Sequence, residues 1–185
     1  MWDATQNGGR WTVLCHHNRS HATLLVDDLG QRVDGSAVFI RHGLTGAERF
    51  GILDLGPVYA SQLVTARRGV LLTPDGGVVV RDEFSAPAGR RVRSGFPTRA
   101  KPVAISPGLL RLEQDGAAVH LRIDAPAGAS WTVGDLRPER PAENQNEVVS
   151  LCAVTVVTDG GDQVLQVSLH RTAPGPVRDL PLDRW

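Results

Sequence analysis

The chain has 185 residues, 41% of them hydrophobic and 22% charged, which is ordinary for a globular domain and argues against a disordered chain. Twenty basic and twenty acidic residues cancel, so no net field draws the chain to nucleic acid or to an anionic membrane, and neither is an expected partner. No run approaches the ~18 apolar residues of a membrane span. Met1–Gln6 lacks the basic-then-apolar pattern of a signal peptide, so sequence leaves the compartment unknown.

This length fits one domain, able to bury roughly 70% of its unfolded surface. Gly and Pro punctuate short apolar runs, and almost nothing reads as helix. Arg10–Cys15 reads as a strand with Trp11, Val13 and Cys15 on one face. A polar head, Asn18-Arg19-Ser20-His21, then runs into an apolar strand, Ala22–Val26, closed by a turn at Asp27-Asp28-Leu29-Gly30. Further strands are expected at Ala37–Arg41, Phe50–Leu55 and Gln62–Ala66. Gly69–Thr73 and Val78–Asp82 form a hairpin across Pro74-Asp75-Gly76-Gly77, where glycine supplies the positive φ of the turn.

Ser85–Gly89 reads as a loop and Arg90–Ser94 as strand or loop; the basic run Arg90-Arg91-Val92-Arg93 is read as a solvated loop. Pro102–Ile105, Leu109–Gln114 and Ala118–Ile123 follow, the last two joined through Asp115-Gly116, and then Ser130–Val133. Arg137–Asn146 is a polar surface loop. Val148–Thr158 is the longest apolar run, and its β-branched content favours a buried strand. Asp159–Asp162 turns the chain into Gln163–His170. About a dozen evenly spaced strands predict an all-β fold, a large antiparallel β-sandwich with negligible helix. It should span residues 1–172, with 173–185 as a Pro-rich tail that wraps or frays.

Catalytic motifs are few. There is no nucleophile elbow, no phosphate-binding glycine loop and no His-Glu-x-x-His zinc pair. Cys15 and Cys152 sit in apolar runs and read as buried free thiols. The histidines are His16, His17, His21, His42, His120 and His170. His21 stands at the mouth of a strand, where a sheet can present it to a ligand. A divalent metal would need three or four convergent ligands, for which His17, His21 and Asp28 or Asp54 are the candidates; no cofactor is otherwise expected. Trp2, Trp11, Trp131 and Trp185 are candidates for stacking on sugars, with Trp11 and Trp131 better placed as core residues.

His21-Ala22-Thr23-Leu24, followed by Asp28-Leu29-Gly30-Gln31, resembles the start of the C-terminal β-sandwich domain of heparinase II/III-type polysaccharide lyases. Asp54-Leu55-Gly56-Pro57-Val58-Tyr59 is similar to the Asp-x-x-x-x-Tyr segment of that family. Arg67–Leu71 followed by Val78–Glu83 resembles its paired strands ending in Asp-Glu. Through residues 100–170 the likeness fades into generic β pattern.

The resemblance implies β-elimination of uronic-acid polysaccharides. In that chemistry a base removes the proton beside the uronate carboxyl while the carboxylate is neutralised. The family places the main catalytic groups on a helical (α/α) toroid, while its sandwich lends a histidine to the cleft. His21 matches that histidine and is the catalytic candidate. Arg19, Gln31 and Tyr59 are the substrate-binding candidates, and His17 and Asp54 the metal candidates. The implied partners are an acidic polysaccharide and a separate helical toroid, for which this chain has no sequence of that size. Pro97, in Phe96-Pro97-Thr98, stands where the family often has a further histidine, so a metal site using that position is expected to be lost or rebuilt. Two readings follow. One is the sandwich part of such a lyase, inactive alone; the other is a non-catalytic carbohydrate-binding or interaction sandwich.

Overall fold

The computed structural model describes residues 3–141, 143 and 149–185. Trp2 and most of the distal part of the loop expected at Arg137–Asn146 lie outside the described residues, as does Val148, the first residue of the long apolar run.

Among the described residues twelve strands form two antiparallel sheets. They are β1 (Leu24–Val26), β2 (Val38–Gly43), β3 (Arg49–Asp54), β4 (Thr65–Leu72), β5 (Val78–Ala86), β6 (Arg91–Thr98), β7 (Lys101–Ser106), β8 (Leu109–Gln114), β9 (Ala117–Ala125), β10 (Thr132–Asp135), β11 (Ser150–Val157) and β12 (Gly161–His170). The small sheet runs β1-β6-β11-β10 and the large one β2-β3-β4-β5-β12-β9-β8-β7. The expected antiparallel sandwich is therefore what the chain builds, and its only helical pieces among the described residues are short 3-10 turns.

Strand alternation explains the core. Leu24, Val26, Val92, Cys152 and Val154 of the small sheet face Ala66, Phe84, Leu110, Leu121, Leu165 and Val167 of the large one. Trp131 packs on this core and meets Phe96 edge-to-face at 5.9 Å. A second apolar cluster lies on the other side of the large sheet, where Ile52, Leu71 and Val79 are covered by Leu182 and Trp185 of the tail.

The tail wraps. Its Gly175 carbonyl accepts from Arg122, its Arg178 carbonyl from Gln166, and its Asp179 and Asp183 pair with Arg81 and Arg67. It thus crosses the outer face from β9 to β4. Trp185, a stacking candidate from sequence, is buried there and cannot present its ring to a sugar. Gly69 makes the docking fit, since a Cβ at that position would stand 2.3 Å from Leu182 Cδ2 and 2.7 Å from Trp185 Cζ3.

Several elements differ from their sequence expectation. Arg10–Cys15 is no strand but two 3-10 turns, Gly9–Thr12 and Leu14–His16, followed by a third at Asn18–Ser20. Leu14 alone of these first two turns is buried, so an alternating apolar pattern here had no sheet to face. Cys15 is accordingly exposed, while Cys152 is buried as expected. Arg91 and Arg93 belong to β6, so the basic run is strand and not loop: Val92 points into the core, and Arg90 and Arg91 pair with Asp27 and Asp28. The edge strand β2 is exposed nearly throughout, with Phe39, Ile40 and Leu44 beside it open to solvent.

Candidate functional site

The three N-terminal 3-10 turns end at His21, which enters an extended conformation (φ −116°, ψ 161°) just before β1. The β1 strand then closes through Asp27 and Asp28, both at positive φ (49° and 59°), a mirror-image turn whose Leu29 amide returns to the Val26 carbonyl at 2.8 Å. Asp27 holds this turn to the start of β6, accepting from the Arg91 amide at 2.9 Å and from Arg90 Nη1 at 2.7 Å. Those bonds hold the Asp27 carboxyl below the usual carboxylate range.

The 3-10 turns and the turn after β1 together line a groove of about 840 Å³. Its walls include Trp11, His17, Asn18, Arg19, Gln31 and Gln62. Arg19 and Gln31, two of the three substrate-binding candidates, therefore line one cavity. His21 is exposed two residues beyond Arg19. Its Nε2 lies 3.1 Å from the Cys15 carbonyl. A carbonyl can only accept, so Nε2 carries the proton and Nδ1 is the basic nitrogen of the neutral ring.

Tyr59 is elsewhere in kind. It is fully buried, and its hydroxyl donates to the Leu24 carbonyl at 2.7 Å while Gln31 Nε2 donates to it at 2.8 Å. Burial pushes its phenol up. The sealed ring does not face the groove, so the substrate-binding role read from sequence does not fit its position; what it does is fix Gln31, which also reaches Thr23 Oγ1 at 3.3 Å.

The metal candidates are engaged separately. His17 Nδ1 accepts from the Arg19 amide at 3.0 Å, which leaves the proton on Nε2, the atom nearest Gly30. Burial, with Arg19 and Arg93 nearby, pushes His17 below its ordinary pKa. Asp54 Oδ1 accepts from the Gly56 amide at 2.8 Å and so turns β3 into the 3-10 turn Gly56–Tyr59. Among the described residues no group of three or more His, Cys, Asp or Glu converges to hold a metal.

Sequence reasoning missed Gln62, Arg93 and Glu139. Gln62 Nε2 donates to the Gly30 carbonyl at 2.8 Å, and its Oε1 is buried without a partner, as is Asn18 Oδ1. Arg19 Nη1 pairs with Glu139 at 2.9 Å. Period-two alternation through Arg91-Val92-Arg93 was the available signal for Arg93. No local pattern ties Glu139 to Arg19, 120 residues away.

No family model matches the chain, and no curated protein matches it. Solved structures do. Heparan sulfate lyase HepC from Pedobacter heparinus superposes with a TM-score of 0.71 at 14% identity, covering 86% of this chain and 26% of its own. A heparinase III gene product gives 0.66 at 17% identity, covering 81% of this chain and 23% of its own. The fold is that of a heparinase-like β-sandwich domain. This heparinase-like sandwich spans about a quarter of the length of the lyases it matches. Among its described residues no helix is long and apolar enough to cross a membrane.

Proposed function

We propose that this heparinase-like sandwich is the non-toroid part of a polysaccharide lyase that acts on uronic-acid polysaccharides, and that it presents Arg19, Gln31 and His21 to the chain being cleaved. The observation that carries the reading is the groove, where Arg19 and Gln31 come together from separate elements, with exposed His21 two residues after Arg19 in the chain. The likeness to lyases of heparan sulfate supports an acidic polysaccharide as the ligand. The exposed apolar strand β2 suits a domain that packs on a neighbour.

In β-elimination the proton at the carbon beside the carboxyl goes to a base. Its electron pair forms the new double bond, and the bond to the glycosidic oxygen breaks as that oxygen is protonated. Here the Nδ1 of His21 serves as the proton-handling atom, and the Arg19 guanidinium offsets the carboxylate charge. Each such group supplies typically ~10² to 10⁴-fold, so His21 alone does not make a lyase, and the chain by itself is proposed to be inactive.

The test is to incubate the purified chain with heparin, heparan sulfate, alginate and chondroitin. Binding is followed by calorimetry and unsaturated uronate by ultraviolet absorbance. Binding weakened by Arg19→Gln, with no product, supports the reading. His21-dependent product from the chain alone would make it a self-sufficient lyase. No binding to any of the four would remove the polysaccharide role and favour a protein-interaction sandwich.

A further inference from the structure

A second groove, of about 350 Å³, lies behind Arg19, lined also by Leu14, Arg93, Leu151 and the segment from Thr132 to Arg137. Arg19 thus lines both cavities. Arg93 Nη2 donates to the Arg19 carbonyl at 3.2 Å, which brings the Arg93 guanidinium from β6 against the 3-10 turn that carries Arg19. Their neutralisation is thin. Among the described residues Arg93 has no carboxylate at ion-pair distance, and Arg19 Nε is buried without a partner. The carboxylate paired with Arg19 is that of Glu139, whose side chain is 75% exposed. Nearby Asp28 and Asp135 are already paired, with Arg91 and Arg137.

We propose that Arg19 and Arg93 form an oxyanion site for the sulfate or carboxylate groups of an acidic glycan, and that Glu139 is an internal anion occupying it until the glycan displaces it. The proposal rests on the reading of the chain as a polysaccharide-contacting domain, and adds a residue, Arg93, and a competitor, Glu139, that lie outside the motif of His21.

Two guanidinium-bearing residues that line one cavity repel each other, and an oxyanion bound between them relieves that repulsion. Burial pushes Arg93 below its usual pKa, with Asp28 acting the other way and Arg91 and Arg19 each adding a smaller push downward. The planar fork of guanidinium matches sulfate and carboxylate geometry. An exposed carboxylate such as Glu139 holds its arginine only weakly, so an incoming oxyanion displaces it at small cost.

The experiment titrates the full chain with inorganic sulfate, a heparin tetrasaccharide and an unsulfated heparosan tetrasaccharide. Arginine Nε–H and backbone amide resonances are followed by NMR. Signals of Arg19 and Arg93 should move with the ligand. Glu139→Gln should tighten binding by roughly twofold to fivefold. Arg93→Gln should weaken it roughly tenfold or more, and Arg93→Lys, which keeps the charge without the fork, should recover part of the loss. Response to heparin alone assigns the site to sulfo groups, and response to both sugars assigns it to carboxylates. If oligosaccharide moves His21 and Gln31 but Glu139→Gln and Arg93→Gln change nothing, the anion site is overturned while the broader reading stands. Shifts with inorganic sulfate but neither sugar keep the anion site and remove the glycan reading. Silence at Arg19 and Arg93 with all three probes overturns the proposal, and the amide spectrum of each variant shows whether it is folded.

Discussion

Arg68 and Asp82 meet face to face between the two sheets, Nε to Oδ1 at 2.6 Å and Nη2 to Oδ2 at 2.7 Å. Asp82 is 1% exposed, and the pair sets two opposite charges beside the apolar core between the sheets. Burial opposes the Arg68 charge, but Asp82 outweighs it and raises the arginine above its usual range. The third contact of Arg68, to the Ala22 carbonyl, ties the pair to the residue after His21.

Asp82→Ala should therefore destabilise the chain by about 3–5 kcal/mol, the usual cost of leaving one buried charge without its partner. Urea denaturation of the variant checks it. A change under about 1 kcal/mol would mean that water reaches Arg68 and that the pair is not a buried one.

This pair marks the border of what the sequence revealed. Arg67-Arg68 and Asp82-Glu83 were legible as paired strands only through the family resemblance, since the hairpin read from the pattern began at Gly69 and ended at Asp82; β4 in fact starts at Thr65, absorbs the end of the separate strand expected at Gln62–Ala66, and sets Arg68 opposite Asp82 and Arg67 opposite Glu83. The sandwich was legible from strand spacing and turn chemistry. Residues 9–20 were not, since Trp11, Val13 and Cys15 alternate as a strand does while the chain makes 3-10 turns that share the groove with the segment after β1. The roles of Tyr59 and Glu139 were hidden too: a tyrosine near a motif reads as functional until its hydroxyl is seen bonded to Leu24, and Glu139 reaches Arg19 only through the fold.

His17 predicts a pH response. Its folded pKa lies below the unfolded value of about 6.5. As pH falls below that value the unfolded chain takes up a proton that the folded ring resists, so stability is full above about 6.5 and declines on acidification. His170 is shifted the same way by burial and Arg122 and adds to the slope. Melting temperatures between about pH 7 and 5 should fall less in His17→Gln than in the parent chain. Equal slopes would remove His17 from the cause.

The two thiols should behave oppositely. Cys15 is exposed, whereas burial pushes Cys152 up to about 11 and leaves it protonated at neutral pH. A thiol-reactive dye should label Cys15 in the native chain and reach Cys152 only in denaturant, as peptide mapping would show. Native labelling of Cys152 would mean that the small sheet opens readily.

The tail should hold more than itself. Trp185→Ala removes the ring that covers Ile52, Leu71 and Val79, and should cost about 3 kcal/mol, the low end for a buried Trp→Ala change because a terminal segment can relax. Gly69→Val should mimic it without touching the tail, since its side chain enters the space of Leu182 and Trp185. Equal destabilisation in both, with no further loss when they are combined, is the expected thermodynamic cycle. Additive losses would show that Gly69 matters for the strand and not for the docking.

Tyr59 connects the core to the groove, and its removal separates stability from recognition. Tyr59→Phe keeps the ring in its cavity but strips the hydroxyl that donates to the Leu24 carbonyl and accepts from Gln31. The buried Leu24 carbonyl keeps a bond from Asn18 Nδ2 at 3.2 Å, so it is weakened and not orphaned. A loss of about 1–2 kcal/mol follows for the exchange of a buried hydrogen-bonded hydroxyl for hydrogen. Because the folded phenol titrates above its unfolded value near 10, the parent chain should also lose stability as pH rises past about 10, and Tyr59→Phe should remove that decline. Gln31 meanwhile keeps only its long contact to Thr23, so its amide should gain mobility in the groove. If Gln31 is a glycan contact, oligosaccharide affinity falls in Tyr59→Phe even though Tyr59 itself is sealed from the ligand, and Gln31→Ala in the same background adds nothing more. Undiminished affinity in Tyr59→Phe, with the hydroxyl's stability loss present, would take Gln31 out of the binding surface and leave it a buckle between the segment after β1 and the turn at Tyr59.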